Sequence, residues 1–303
     1  MKTQPRTRPK LRTRRTKFVD ILRTTPTATV CPNFYILSHA NGCLFQPLCE
    51  YCYLKSSLWH LGGRAHVFSN VDDMVAEAAA WIARDGLESY VLNTGNLSDS
   101  LTFEPLRPAM GRLVELFRAE AEAKGRPHCL LLVTKGGTAV CRPLLKLPPC
   151  RNVIVSFSVN SPQAAEEHER GAAPVGDRVS AAAKLRQAGW RVRMRIDPMI
   201  LGYDYRGIAE QVRQLAPERV TLGTLRAETN LLHRVNHGLF AALEVPADAR
   251  SLARYGRPRR IALYREVCGM LSDVCPVGLC EETADIWRAA GLDPDAALCN
   301  CGL

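Results

Sequence analysis

The sequence predicts an α/β fold: a parallel sheet wound into a partial, TIM-like (βα)6 barrel and followed by a mainly helical C-terminal region. Two observations carry this reading. Apolar runs of strand length alternate with amphipathic segments of helix length through short links, which implies right-handed crossovers between parallel strands. The alternation stops at six units, short of the eight that close a full barrel. The predicted strands are residues 33–38, 89–93, 129–134, 152–158, 192–196 and 220–225. Between them lie helical patterns at 71–84, 105–124, 139–147, 179–188 and 208–215. Asp72 and Asp73 place acids in the first turn of the first helix, where the helix dipole favours them. Gly189 follows Ala188 and suits a helix stop before the strand that opens at Trp190. This divides the chain into a basic, disordered tail (1–25), the barrel (26–230) and a helical, cysteine-containing region (231–303).

Composition narrows the class. With 47% apolar and 23% charged residues, the 303-residue chain is neither a wholly disordered nor a fibrous protein. No run of 18 apolar residues suggests a membrane span, and no apolar leader is expected, so the reading is cytoplasmic. The net charge of +10 is unevenly spread. Residues 1–23 hold nine basic residues against Asp20, a net +8, leaving +2 for the other 280. Such a tail suits phosphate contact by counterion release. A solubilising arm is the plainer reading, and a transit peptide a third, although the segment has no amphipathic period. Twelve cysteines exceed what packing needs. In a reducing compartment, clusters of them read as metal ligands or redox groups rather than disulfides.

The sharpest feature is Cys43-Leu-Phe-Gln-Pro-Leu-Cys49-Glu-Tyr-Cys52-Tyr53, just after the first predicted strand, where α/β barrels place their chemistry. Three thiolates within ten residues can wrap one compact ion or cluster. On a four-iron cluster they leave one iron open to a second molecule. A structural zinc site would want a fourth ligand, and neither His39 nor His60 completes a recognisable zinc pattern.

With further segments in order, this loop resembles the radical SAM superfamily, and within it the spore photoproduct lyase branch, over about residues 30–265. The matching segments are Gly42-Cys43, Cys49-Glu-Tyr51-Cys52-Tyr53-Leu54, Ser98-Asp99, Thr134-Lys135, Ser156-Phe-Ser158-Val-Asn160-Ser161, Glu169-Arg-Gly171 with Arg178, and Arg254-Tyr255-Gly256. The resemblance implies a (βα)6 partial barrel and a [4Fe-4S] cluster on Cys43, Cys49 and Cys52. It also implies S-adenosyl-L-methionine as cofactor, a flavodoxin or ferredoxin-type reductant, and damaged DNA as substrate. Lys135 and Arg178 are cationic candidates for the methionyl carboxylate. Ser98, Asp99, Ser158 and Asn160 are short polar groups at strand ends, suited to the cofactor's amino group or ribose, or simply to capping. Asp197, before Pro198, is a further cofactor or substrate candidate. Tyr51 and Tyr53 flank Cys52, either as packing or, as the resemblance implies, as a hydrogen-atom relay.

Three features depart from that pattern. The loop has five residues between its first two cysteines where three are usual, an extension worth only about 0.5 kcal/mol of loop entropy. Asn96 stands where the family resemblance calls for a hydrogen-donating cysteine. A late group, Cys275, Cys280, Cys299 and Cys301, has no counterpart in the family pattern. It reads as a second cluster or zinc site, as a tail that folds over the barrel mouth and supplies the missing thiol from Cys299 or Cys301, or as unligated cysteines. Cys31, Cys129, Cys141 and Cys150 read as structural. Arg250, Arg254, Arg257, Arg259, Arg260 and Arg265, interleaved with Tyr255 and Tyr264, form a second basic cluster suited to phosphates and bases. Two other functions stay open: a radical SAM enzyme acting on a peptide or small metabolite, and a non-catalytic iron–sulfur or zinc protein that binds nucleic acid.

Overall fold

The structure, a computed structural model, describes residues 8–23, 28–62, 64–235, 238–248, 251–296 and 298–303. Its thirteen described strands are β1 (Lys10–Arg12), β2 (Val19–Leu22), β3 (Phe34–Leu37), β4 (Ala40–Asn41), β5 (His66–Phe68), β6 (Val91–Asn93), β7 (Cys129–Thr134), β8 (Val153–Val159), β9 (Arg191–Met199), β10 (Arg219–Thr224), β11 (Arg226–Ala227), β12 (Ala253–Arg254) and β13 (Val277–Leu279). The helices are α1 (Leu54–Ser57), α2 (Val71–Ile82), α3 (Met110–Phe117), α4 (Thr138–Leu145), α5 (Pro162–His168), α6 (Val175–Gln187), α7 (Arg206–Leu215), α8 (Thr229–Leu232), α9 (Arg257–Leu271) and α10 (Ala284–Ala289). A single 3-10 turn spans Trp59–Leu61.

All six predicted strands form, and they lie side by side in one eight-stranded sheet of order β13-β10-β9-β8-β7-β6-β3-β2. Every pairing in it is parallel except β2 on β3. The fold is therefore mixed α/β with a mostly parallel sheet. The sheet is open: its edge strands β2 and β13 are not paired with each other.

Side-chain alternation gives this sheet two unlike faces. On β9, Val192, Met194 and Ile196 join the main hydrophobic core, along with Val153, Val155, Phe157 and Val159 of β8. Ala181, Ala182 and Leu185 of α6 and Ile208, Ala209 and Val212 of α7 pack into the same core. Truncating one such buried leucine or valine-sized side chain typically costs about 2–5 kcal/mol. The intervening residues of β8 and β9, among them Ser156, Ser158, Arg193, Arg195 and Asp197, face the other way. A parallel sheet covered by helices on both faces would read as unbroken apolar runs. Here the second face carries a small apolar patch of Val91, Cys129, Leu131 and Ile154 and is otherwise polar along β8 and β9, and the site is built on it.

The basic tail, expected as a disordered arm, holds two strands within its described residues 8–23. β1 pairs in parallel with β5, and β2 runs antiparallel on β3. The physical reason is a short apolar run that the surrounding charge hides. Phe18 and Val19 are buried, and the Glu77 carboxylate accepts both of their backbone N–H groups at 2.8 and 2.9 Å. Residues 1–7, 24 and 25 lie outside the described residues. The region after 230 holds helices α9 and α10, and it also lends β13 to the sheet. No described helix is long and apolar enough to cross a membrane.

Candidate active site

The cysteine loop leaves β4 at Gly42, whose φ of 95° suits glycine and brings it against Ala65. Inside the loop the Phe45 N–H donates to the Cys43 sulfur at 3.4 Å, and the Leu54 amide points at Cys52. Cys43, Cys49 and Cys52 lie close enough to act on one another electrostatically. Burial pushes all three thiols up, Cys49 to about 12. Among the described residues, no three His, Cys, Asp or Glu side chains are gathered tightly enough to hold a single metal ion. A donor set of three neighbouring thiols, with amides directed at two sulfurs and no fourth protein ligand, fits a multi-iron cluster.

One carboxylate docks this loop onto the sheet. Glu169, which follows α5, is buried and accepts hydrogen bonds from the Tyr51 hydroxyl, from Lys135 Nζ at 2.9 Å, from Asn160 Nδ2 at 3.2 Å and from Arg178. Burial works to raise its pKa, but Lys135 and Arg178 outweigh that and hold the carboxyl well below the usual range. Two residues on, Gly171 lies against the loop's backbone: a Cβ there would sit 2.3 Å from the Pro47 carbonyl oxygen and 2.6 Å from Gln46. Glu50 closes the contact, donating its N–H to the His168 carbonyl at 2.9 Å and facing His168 Nδ1 at 3.1 Å. The Glu169-Arg-Gly171 segment thus has a mechanical reason. Sequence reasoning quoted it only as a match and did not rank Glu169 among the site residues. The signal available was an acid beside a glycine, at the end of the segment that follows β8.

Lys135, Arg178 and Asn160 meet around Glu169. Lys135 keeps 19% of its side chain exposed, whereas Arg178 keeps 1% and also donates to the Ala173 and Ser158 carbonyls. Asn160 also donates to the Pro198 carbonyl and accepts from Tyr205 and from the Ser161 N–H. Ser98 bonds His39 Nε2 at 2.7 Å. Asp99 accepts from Leu101 N, Thr102 N, Thr134 Oγ1 and Lys135 N, so it ties the loop after β6 to the end of β7. Ser158 is buried on β8. Tyr53 is 41% exposed, and its hydroxyl donates to the carbonyl of Asn96.

A second cluster occupies the β9–β10 side. Asp197 lies between Arg195 and Arg226, the latter 2.7 Å away. Burial opposes its charge, but the two guanidiniums hold it ionised. The same arginines donate to the Cys280 sulfur, Arg195 at 3.5 Å and Arg226 at 3.1 Å. Asp197 is thus fully engaged within the protein.

The C-terminal tail does not fold over the strand ends. It lies along the polar face at the start of β9 and β10. Arg193 donates to the Asn300 and Gly302 carbonyls at 2.7 Å each, and Arg219 to those of Cys299 and Leu303 at 2.9 and 2.8 Å. Ser156 of β8 donates to Asn300 Oδ1 at 2.8 Å. The Cys299 and Cys301 thiols hydrogen-bond each other, with Arg195 and Cys280 near Cys301. Cys275 is apart from them, in the hydrophobic core with its thiol toward the Leu271 carbonyl. The four late cysteines therefore do not form the single metal site their spacing suggested.

The second basic cluster is also corrected. Tyr255 and Tyr264 are buried, so neither can stack on a base. Arg254 and Arg260 turn inward to Glu282, Arg257 pairs with Asp285, and Arg265 donates to the Ala289 carbonyl. Arg250 lies outside the described residues.

A family model described as spore photoproduct lyase matches residues 8–230. Two relatives named spore photoproduct lyase, from Clostridium acetobutylicum and Bacillus subtilis, are each 24% identical, over 188 and 192 residues. Each match covers 61% of this chain, and 52% and 53% of the respective relative, so the chain spans about half the length of the curated relatives it matches. Among solved structures, spore photoproduct lyase complexed with dinucleoside spore photoproduct gives a TM-score of 0.69 at 20% identity, covering 88% of this chain and 80% of that one. A variant of spore photoproduct lyase with bound AdoMet and dinucleoside spore photoproduct gives 0.67 at 20%, with the same coverage. At these identities the structures establish a shared fold. With the family model spanning well over half of the sequence, the chain belongs to the spore photoproduct lyase family.

Proposed function

We propose that the protein is a radical S-adenosyl-L-methionine enzyme that repairs thymine photoproduct in DNA, and that its open parallel sheet is the partial (βα)6 barrel of that superfamily. The observation that carries this is the docked trio of thiols, Cys43, Cys49 and Cys52, beside the Tyr51–Glu169–Lys135–Arg178 network. These three cysteines would hold a [4Fe-4S] cluster with one iron open. When bound, such a cluster with S-adenosyl-L-methionine supplies the one-electron cleavage that starts radical chemistry. A flavodoxin or ferredoxin-type protein suits the reductant.

The chain's own residues divide into two kinds. Lys135 is the partly exposed cation and the group for the methionyl carboxylate. Arg178, Asn160, Ser98 and Asp99 have their hydrogen bonds committed within the protein and act as positioning residues, as does Asp197. Ser158 stays a strand-end contact to the cofactor. Tyr53, exposed and beside Cys52, is the side chain best placed to meet substrate, with Tyr51 oriented behind it by Glu169. Cys299 and Cys301 lie behind Arg195 and are proposed as the thiol reserve that replaces the donor missing at Asn96.

Anaerobic reconstitution with iron and sulfide, followed by reduction with S-adenosyl-L-methionine, tests the reading. We expect 5′-deoxyadenosine, and restored thymines from duplex DNA carrying spore photoproduct. Iron binding without cofactor cleavage would leave a binding protein, and cleavage without thymine repair would point to another substrate.

A further inference from the structure

We infer that the face formed by β1, β5 and the Trp59 turn is a nucleic-acid contact, in which Lys10, Arg12 and Arg64 meet the phosphate backbone and Trp59 stacks on an unpaired base beside the cysteine loop. The inference rests on the DNA reading above and places that substrate on a surface.

The first observation is charge. β1 lies on β5 in the register Lys10–His66 and Arg12–Phe68, and Arg64 Nε donates to the Arg8 carbonyl at 2.8 Å. His66 is held below its ordinary pKa by partial burial and then by Arg12, Lys10, Arg64 and His60, all of them basic. Among the described residues, none of Lys10, Arg12, Arg64 and Arg234 forms an ion pair. The arginines of β9 and of α9's first turns differ, because acids neutralise Arg191, Arg193, Arg195, Arg257 and Arg260. Lys10, Arg12 and Arg64 thus set three cations without an ion pair on and beside one small sheet, where a polyanion would release its counterions.

The second observation is aromatic. Trp59 is 59% exposed, while Trp81, Trp190 and Trp287 are each at most 3% exposed. The Arg234 guanidinium stands over its ring, 4.7 Å from the centroid. A guanidinium on one face of an exposed indole leaves the opposite face for a second flat partner, and a base fits it without sequence preference.

The third is position. Asn41 of β4 pairs with His66 of β5, and Cys43 is two residues further on. β1 is thus two strands, about 10 Å, from the strand that feeds the cysteine loop. On the other side, α1 follows Tyr53 directly and is tied to the start of α8 by Ser56 Oγ to Glu228 at 3.0 Å. Trp59 opens the 3-10 turn that follows α1, six residues after Tyr53. A strand crossing the β1 face would bring one base to Trp59 and a neighbour to Tyr53.

The full-length protein's intrinsic fluorescence tests this, because Trp59 is its one well-exposed tryptophan. Acrylamide quenching is measured with and without a short single strand and a short duplex carrying a thymine photoproduct, and with polyglutamate as an acidic polymer without bases. We expect protection by DNA and none by polyglutamate, and Trp59→Ala should weaken DNA affinity about tenfold. Replacing Lys10, Arg12 and Arg64 together by alanine should flatten the salt dependence by about 0.9 per lost phosphate contact. Equal protection by polyglutamate would overturn the stacking role. Unchanged affinity and salt slope in both variants, with photoproduct repair retained, would overturn the inference alone, whereas a wild-type protein that binds no duplex would overturn the DNA reading with it.

Discussion

The cysteine loop and the C-terminal tail both bring thiols toward the polar face of one sheet, yet they are anchored in opposite ways. The loop is held through side chains: Glu169 takes Tyr51 from the loop while two cations and an amide fix Glu169 itself. The tail is held through its backbone, with Arg193 and Arg219 capturing four of its carbonyls. The consequence lies at sulfur. Two of the loop thiols, Cys43 and Cys52, receive amide hydrogen bonds and keep lone pairs for a ligand. Tail thiols bond each other, with Cys280 and Arg195 close to Cys301, so they are already occupied. Two cysteine groups of one sequence thus have different chemical availability.

The largest test of this contrast is Glu169→Gln. The amide keeps the shape but leaves Arg178, 1% exposed, without its counter-charge. Breaking a buried pair in this way costs about 3–5 kcal/mol, which urea unfolding would read. Iron uptake should fall with it, because Tyr51 loses its anchor. Asp197→Asn, in the other cluster, should destabilise without lowering iron uptake. Equal iron loss in both would erase the distinction between the two regions.

A sharper probe is Gly171→Ala. Its Cβ meets backbone at Pro47 and Gln46, which cannot rotate away, so the loop must move. Overpacking of this kind costs about 1–3 kcal/mol. We expect reduced iron loading with unchanged far-ultraviolet circular dichroism. Gly176→Ala, inside α6 with open space around it, is the control and should bind iron normally.

Much of the scaffold was legible in the sequence because hydrophobic runs such as Cys129–Thr134 and Val153–Val159 have no alternative but a buried sheet. What was not legible follows two patterns. β2 and β13 are four and three residues long, and β2 sits in a segment whose charge dominates any window average. On α9, the arginines read as one patch, but helical spacing splits them. Arg260, Tyr264, Val267, Cys268 and Leu271 share the inward face, and Arg257, Arg259 and Arg265 the outer one. The loop cysteines stand together in the sequence, whereas the contacts of Glu169 could not be read there, since they depend on three segments that meet only in the fold.

On the loop side, pH gives a smaller effect. His39, between β3 and β4, is buried, accepts from Arg107 through Nδ1 at 3.2 Å and so donates through Nε2 to Ser98. Burial and then Arg107 lower its pKa to about 3. Between about 6.5 and 3 the unfolded chain binds this proton and the folded chain does not. Stability is therefore lost as pH falls through that window, by up to about 1.4 kcal/mol per unit. His39→Gln should flatten this slope in urea titrations, and an unchanged slope would assign the acid sensitivity elsewhere.

The smallest expected change, and the one that separates the two regions most cleanly, is in the double variant Cys299→Ala, Cys301→Ala. The tail's carbonyl contacts to Arg193 and Arg219 do not involve either side chain, so its path along β9 and β10 should persist. Only the thiol–thiol hydrogen bond is lost, a term of about 1 kcal/mol. Because the loop thiols are anchored independently, iron content after reconstitution should equal that of the unaltered protein, and cleavage of S-adenosyl-L-methionine should proceed at the same rate. If the pair is the thiol reserve for a site that has Asn96 in place of a donor, the difference will appear only downstream. Photoproduct-containing DNA should then yield fewer restored thymines and more trapped or crosslinked product. Loss of iron in the double variant would instead make the tail a ligand-bearing segment and dissolve the contrast. Identical iron, rate and product would confine Cys299 and Cys301 to packing, leaving Cys280, held by Arg195 and Arg226, as the thiol of that cluster still to be tested.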